Sequence, residues 1–492
     1  MIRKWCRYIV ILFLSVVLFS GCGEAKVKYV FLFIGDGMGN VQMNAAERYL
    51  AAMEDRPGII PLAMNLAPVS GSITTYSKGR YITDSGAAVT AMATGIKTTP
   101  GTISMDPEHR YPLKTIAETA KDRGMKVGII STVDIDHATP AGFYAHQPKR
   151  SSYFEIAKQL ANSNFDFFAG GDFRQKTDPE GVDNTNIIDL AKRNGFIYVE
   201  NNTAFRYLEP GAGRVLLIHP DSKEDYAMPY SIDSDNESIT LKQILEKSIK
   251  MLDNPDGFFI MAEGGKIDWA CHANDAAACI QEVLAFDEAI KVALEFYSNH
   301  KKNTLILITS DHETGGMSMG TTYGDNDLNV SKLQWQTGSF TELTREYRNI
   351  RDVLIDEHGP DSIRQDADWA FEFVLKQTGL GDPEKDLELN EYELNALMDS
   401  YERSFEVRNY EDPVEYILYG SYDPFMVSVS RTLSRKAGIG WTTFSHTGVP
   451  VPVRAFGAGA SDFDGYYDNT DIFFKLQKLI GNGRQKIRDL SE

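Results

Sequence analysis

Residues 27–34 read VKYVFLFI and run straight into Gly35-Asp36-Gly37-Met38-Gly39. Only Lys28 among the eight is charged, and the others are almost all β-branched, aromatic or leucine. A strand with one wet face would alternate apolar with polar; unbroken apolarity requires cover on both faces. Three further short runs share the pattern: Lys126 to Ser131 (KVGIIS), Phe258 to Ala262 (FFIMA) and Thr304 to Thr309 (TLILIT). Helical stretches such as Leu113 to Asp122 and Ala276 to Tyr297 lie between them. The alternation predicts an α/β fold with a large, mostly parallel central sheet sandwiched by helices.

Each run ends in a polar cluster. Ile34 leads to Asp36, and Ser131 leads through Asp134 and Asp136 to His137-Ala138-Thr139. Ala262 leads to Glu263, Asp268 and His272, while Thr309 leads to Ser310-Asp311-His312. Parallel strands place all four clusters on one sheet edge, where ligands of open α/β sheets bind. Taken singly the pieces are weak. GDGMG alone is a strand-to-loop turn and no dinucleotide fingerprint, an Asp-His pair is close to chance, and Asp268 with His272 suits a surface pair as well as an ion. Together, acids and histidines in neighbouring loops point to metal.

A nucleophile candidate lies in TDSGAAVTAMATG, residues 83–95. The small residues after Ser85 suit a helix that Ser85 caps or begins, and its dipole favours an alkoxide or a phosphate. No histidine adjoins it to act as base, so a metal ion is the expected activator.

The 492 residues are 42% hydrophobic and 24% charged, which excludes wholesale disorder, collagen and a multi-span membrane protein. Net charge is −19, from 69 acids against 50 bases, so no nucleic-acid binding is expected. Arg3, Lys4 and Arg7 precede an apolar stretch, Ile9 to Phe19, that is too short to span a bilayer. Phe19-Ser20-Gly21-Cys22 then resembles a bacterial lipoprotein signal. On that reading residues 1–21 are removed, Cys22 is acylated, and the chain is exported and lipid-anchored in the cell envelope. Plain secretion and an uncleaved anchor are the alternatives.

Cys271 and Cys279 read as one helix, which sets them about 12 Å apart along its axis, too far to pair. Cys279 shares a core stripe with Val283, Phe286, Ile290 and Ala293; Cys271, beside His272, reads as core or as a metal ligand. Residues 320–440 read as a helical insertion within a catalytic domain of residues 22–492. Three amphipathic helices are expected there. Ser339 with Glu342 starts the first, Asp361 the second, which runs past Val374 to Gly379, and Asn390 with Glu393 the third. The insertion is expected to fold over the carboxyl edge of the sheet, because His312 and His446 flank it.

Six motifs in fixed order, IGDGMG, TDSGAAVTAMATG, HATPAGFYAHQPKR, AEGGKIDWACH, TSDHETGG and SHTG, make the chain resemble the metal-dependent alkaline phosphatases. The resemblance covers the chain beyond the leader, apart from residues 320–440. It implies hydrolysis of small phosphate monoesters to alcohol and inorganic phosphate through a phosphoserine. Ser85 becomes the nucleophile and Arg150 the clamp on the phosphoryl oxygens. Asp268, His272 and His446 would hold one zinc ion, and Asp36, Asp311 and His312 a second. Asp36, Thr139 and Glu263 would hold a third ion, usually magnesium. Histidine-rich sets suit zinc, and an all-oxygen set suits a hard cation. His137 and Trp269 stand near the third ion and the phosphate, where other members carry acids, lysine or histidine. Asp134 and Asp136 read as loop acids, and His109, His146, His219, His300 and His358 as surface or packing residues. A phosphodiesterase sharing the two-zinc half of the site and a non-catalytic surface-anchored binding protein are the competing functions. Oligomeric state, a homodimer included, stays open.

Overall fold

The computed structural model describes residues 27–222, 225–321, 328–409 and 412–481. The leader and Cys22 lie outside the described residues. Strand β1 (Tyr29–Gly35) is buried at every position. Its alternate residues explain why: Tyr29, Phe31 and Phe33 enter one apolar core, and Val30, Leu32 and Ile34 enter another on the opposite face.

The further strands are β2 (Val69–Thr74), β3 (Lys126–Asp134), β4 (Phe167–Gly171), β5 (Phe196–Val199), β6 (Arg214–Ile218), β7 (Phe258–Gly264), β8 (Thr304–Thr309), β9 (Glu313–Thr314), β10 (Ser318–Met319), β11 (Ile439–Gly440), β12 (His446–Thr447), β13 (Val451–Gly457) and β14 (Gly465–Asp468). Ten of them form one sheet in the order β14-β2-β13-β8-β1-β7-β3-β4-β6-β5. Only β13 runs against its neighbours β8 and β2; the other pairings are parallel. The four strands legible in the sequence are therefore contiguous at the centre, as β8-β1-β7-β3. Their register is level: Ile34 lies opposite both Glu263 and Thr309, and Ser131 opposite Glu263. Level ends put the polar clusters at one height above the sheet.

Helices cover both faces. Asn40–Met53, Leu241–Leu252 and Ala276–His300 pack on the Phe31 side; Ser85–Thr94, Ile116–Asp122, Tyr153–Asn162 and Thr470–Ile480 pack on the Leu32 side. The helices of residues 340–436 pack Tyr347, Tyr401 and Phe425 against one another, in a core continuous with the one that holds Phe31.

Two differences from the sequence reading stand out there. The helix expected from Asp361 divides into Pro360–Gln365 and Asp368–Thr378, with Asp366 extended at φ −116°, ψ 95°. The buried Tyr401 hydroxyl sits in the break, 2.6 Å from the Ile363 carbonyl oxygen and 3.2 Å from that of Asp366. It occupies carbonyls that a continuous helix would have used. Pro413–Tyr419 and Pro424–Lys436 were not anticipated, although Asp412-Pro413 and Asp423-Pro424 each pair an N-cap with a first-turn proline. At the base of the insertion β10 pairs with β11, and β9 with β12, antiparallel.

Leu32 is fully buried on the central strand. Leu32→Ala should cost about 2–5 kcal/mol of unfolding free energy in a urea titration.

Candidate active site

The Ser85–Thr94 helix is buried along its whole length, which its alanines and glycine permit by bringing backbone close to the sheet. Ser85 begins the helix and does not cap it. Asp84 is the cap, accepting from the Gly86 and Ala87 amides, and its carboxylate also accepts from Gly101 N at 2.9 Å and Arg150 Nη1 at 3.2 Å. One carboxylate thus fixes both the serine and the arginine, a role missed in the sequence although the residue precedes Ser85. The Ser85 hydroxyl lies 3.2 Å from His312 Nε2.

His312 belongs to one of three neighbouring sets of possible ligand atoms among the described residues: Asp268, His272 and His446; Asp36, Asp311 and His312; Asp36, His137 and Glu263. Within each set the atoms lie within 4.8 Å of one another. His446 reaches the group through β12, whose ladder with β9 sets it opposite Thr314 and stacks its ring on that of His312 with centroids 3.6 Å apart. Gly37, at φ +72°, lets the loop after β1 pass; a Cβ there would stand 2.9 Å from the Asp268 backbone.

Ring tautomers follow from the second nitrogen of each histidine. His272 Nδ1 lies 2.6 Å from the Phe444 carbonyl oxygen, and His446 Nδ1 lies 2.9 Å from that of Thr83. A carbonyl only accepts, so both Nδ1 atoms carry protons, and in the neutral rings the two Nε2 atoms, 3.1 Å apart, hold the lone pairs that a shared cation would take. In the second set His312 Nε2 lies 3.1 Å from Asp311 Oδ2 and 3.6 Å from Asp36 Oδ1.

The third set holds a conflict. Arg150 Nη2 stands 2.8 Å from His137 Nε2 and can only donate, which leaves the His137 proton on Nδ1, 4.0 Å from Glu263 Oε1. A cation there would need that proton gone or the arginine moved. Thr139 Oγ1 stands by at 3.5 Å, donating to Asp36 Oδ2.

Asp36 Oδ1, Asp311 Oδ2, Glu263 Oε1 and His137 Nδ1 are buried without a hydrogen-bond partner. Orphaned buried carboxylate oxygens are costly, and the charges show it. Burial, then the neighbouring acids Asp311, Asp268 and Glu263, hold Asp36 well above the usual carboxyl range. Burial drives Glu263 up to about 8, and burial with Asp268 drives Asp311 up to about 7. Asp268 goes the other way, because the imidazoles of His272, His446 and His312 outweigh its burial. His272 rises to about 9, Asp268 outweighing desolvation, while burial brings His137 down to about 4. Such a group of acids is chemically a seat for divalent cations, and the residues fit them.

Around the mouth, Trp269 meets the His137 ring edge-on at 6.4 Å and lies 6.0 Å from the Arg174 guanidinium. Arg174 is held bidentately by Asp134, at 2.9 and 3.1 Å, while its own amide donates to Asp136. Asp134 and Asp136 are therefore fully buried anchors of Arg174: Asp134 is the last residue of β3, and Asp136 lies in the turn that follows it. No sequence signal linked them to a residue in a different loop. His146 pairs with Glu118 at 3.2 Å, His219 with the Ile239 carbonyl, and His300 stacks on Phe296, all as packing residues.

Comparison with known proteins points to one family. The family model described as Alkaline phosphatase matches residues 27–481. Alkaline phosphatase 3 of Bacillus subtilis (strain 168) is 32% identical over 466 residues, covering 93% of this chain and 90% of that protein. The crystal structure of a cold-active alkaline phosphatase from a psychrophilic Shewanella sp. superposes with TM-score 0.74 at 28% identity, over 92% of this chain and 100% of that one. TAB5 alkaline phosphatase, in a His-to-Asp mutant with Mg bound in its M3 site, matches with TM-score 0.61 at 25% identity, over 92% and 98%.

The raised carboxyls carry a pH signature. An acid whose folded value is raised is ionised more easily after unfolding, so its native state loses stability as pH climbs toward the folded value. Glu263 and Asp311 move in this direction up to about 8 and about 7, and His272, losing its proton near 9, adds to it. Below about pH 6.5 the lowered histidines His137, His312 and His446 oppose this trend, so in the presence of a chelator the urea midpoint should fall between about pH 6.5 and about 8. Added divalent cation should restore it, since cations stabilise the ionised acids. A chelated protein with a flat midpoint across that window would contradict the electrostatics described here.

Proposed function

Because this chain belongs to the alkaline phosphatase family and is an enzyme that hydrolyses phosphate monoesters, we propose that it works through a phosphoserine on Ser85. The observation that carries this reading is the approach of the Ser85 hydroxyl to within 3.2 Å of His312 Nε2, an atom that itself lies 3.1 Å from Asp311 Oδ2 and 3.6 Å from Asp36 Oδ1. Divalent cations at these sets would supply Lewis-acid stabilisation of the attacking and leaving oxygens.

Zinc suits Asp268, His272 and His446, and also Asp36, Asp311 and His312, by their mixture of imidazole and carboxylate. For the third ion we favour magnesium on Asp36, Thr139 and Glu263, because Arg150 takes up the lone pair of His137. The chain's own residues then have defined tasks. The first turn of the Ser85–Thr94 helix directs backbone dipole at the phosphoryl group. Arg150, aligned by Asp84, offers a planar pair of donors to two phosphoryl oxygens. Ser85 attacks, the alcohol leaves, and water then cleaves the serine ester to release inorganic phosphate. Since the transition state is loose, positioning and charge stabilisation suffice without a separate acid–base pair.

A diesterase would not need Arg150 and the third-ion residues, which favour a terminal phosphoryl group with two negative charges. Residues 320–440 we read as a cap beside the mouth: Tyr416 Oη lies 3.0 Å from Ser445 Oγ, next to His446. Export with lipid anchoring at Cys22 completes the proposal; no described helix is long and apolar enough to cross a membrane.

Ser85→Ala should lower kcat by roughly 10⁴-fold or more and abolish phosphate incorporation, with bound metal unchanged by elemental analysis. Turnover retained in that variant would remove Ser85 as nucleophile. Arg150→Ala should cost roughly 10²–10³-fold in kcat/KM for a chromogenic monoester. A wild-type preference for the matching diester would favour the diesterase reading.

A further inference from the structure

The helix that carries Asp268 and His272 stops sooner than its sequence suggests, and the stop brings two thiols together. Lys266–His272 ends at Ala273, Asn274 turns the chain at φ +54°, and Asp275 caps a new helix, Ala276–His300. The expectation of one continuous helix, with Cys271 and Cys279 about 12 Å apart, is overturned by this break. Cys271 Sγ and Cys279 Sγ are instead 3.5 Å apart, in van der Waals contact, and both residues are fully buried. Only about 1.5 Å of approach separates that contact from a bonded pair.

The surroundings give the sulfurs no other task. Gln42 Nε2 lies 3.9 Å from Cys271 Sγ, but its closer partners are Glu313 Oε1 at 2.7 Å and the Thr314 carbonyl at 3.1 Å. Among the described residues, neither cysteine belongs to a set of ligand atoms. The metal-ligand reading of Cys271 therefore finds no support in the geometry.

We propose that Cys271 and Cys279 close into a disulfide when the chain folds in an oxidising compartment, tying the ligand-bearing helix to the long helix behind it. This rests on the export reading above, since thiols stay reduced in the cytosol. The two thiols give up two protons and two electrons. A disulfide-type oxidant, of a protein or of glutathione, accepts them and leaves as two thiols. Because both sulfurs are sealed in the finished fold, exchange takes place before the two helices pack.

Residues 267–291 contain no internal Lys or Arg, so trypsin releases both cysteines on one peptide. Enzyme taken from cell fractions, denatured and treated with a maleimide without reductant, should yield this peptide untagged and two hydrogens lighter than the dithiol. Reductant should convert it to the doubly tagged form. The same chain, reduced in denaturant and refolded in mixed reduced and oxidised glutathione, should regain the untagged peptide; Cys279→Ser should carry one tag throughout. The reduced enzyme should also lose activity in a chelator several-fold faster than the oxidised one. Two tags on enzyme recovered from an exported fraction, or on the refolded chain, would overturn the pairing. Recovery of the chain in the cytosol alone would defeat the export reading and the disulfide in the cell, and glutathione refolding would then judge the geometric claim by itself.

Discussion

Four carboxylates, those of Asp36, Glu263, Asp268 and Asp311, sit with almost no exposure at the ends of neighbouring strands, and no protein charge neutralises all of them. Moving one such group out of water costs several kcal/mol, and gathering four multiplies the cost through mutual repulsion. The fold around them is the consequence. Only a parallel sheet with level strand ends sets Asp36, Glu263 and Asp311 at one height, and only cations in their midst let them all ionise. The imidazoles of His272 and His446 partly relieve Asp268 alone, so the strain concentrates on Asp36, Glu263 and Asp311. An enzyme that must stabilise charge on a phosphoryl group has its own buried charge already arranged around the place where cations are needed.

The central sheet was legible because burial on both faces leaves a mark that needs no partner to interpret. In β1 one set of alternating residues serves one core and the other set serves the opposite core, so no polar residue interrupts the run. The gathering of candidate ligand residues at strand ends was legible for the same reason: once the strands are known, topology brings their loops together. What stayed hidden depended on contacts between segments with no shared pattern. Asp84 looks like a mere neighbour of Ser85 until Arg150 is seen on its other side. Asp134 and Asp136 read as loop acids until Arg174, from a different loop, is seen bound to both.

The helices failed in a different way. Apolar spacing cannot locate a break when both halves keep the same period, as at Asp366, where the Tyr401 hydroxyl competes for carbonyl groups. The same blindness joined Cys271 to Cys279 in one imagined helix. There the turn at Asn274 matters, since it makes neighbours of two core thiols, one of them next to the candidate ligand His272. Local signals did mark two further helix starts, at Asp412-Pro413 and Asp423-Pro424, and an entry cap with a preset proline φ needs no tertiary contact to be read.

The position of His446 joins these strands of reasoning. It follows the helical residues 340–436 in the chain, yet its backbone is laddered to that of Thr314 and its ring lies on His312. The ligand set that contains Asp268 and His272 is thus complete only when the intervening helices have packed and brought β12 back to β9. Their aromatic residues share the core beneath β1, so packing there and closure of the ligand set are one event. A cation that bridges Asp268, His272 and His446 therefore binds the folded arrangement in preference to any state in which the insertion is loose. Its binding free energy adds to the stability of the insertion as well as to that of the site.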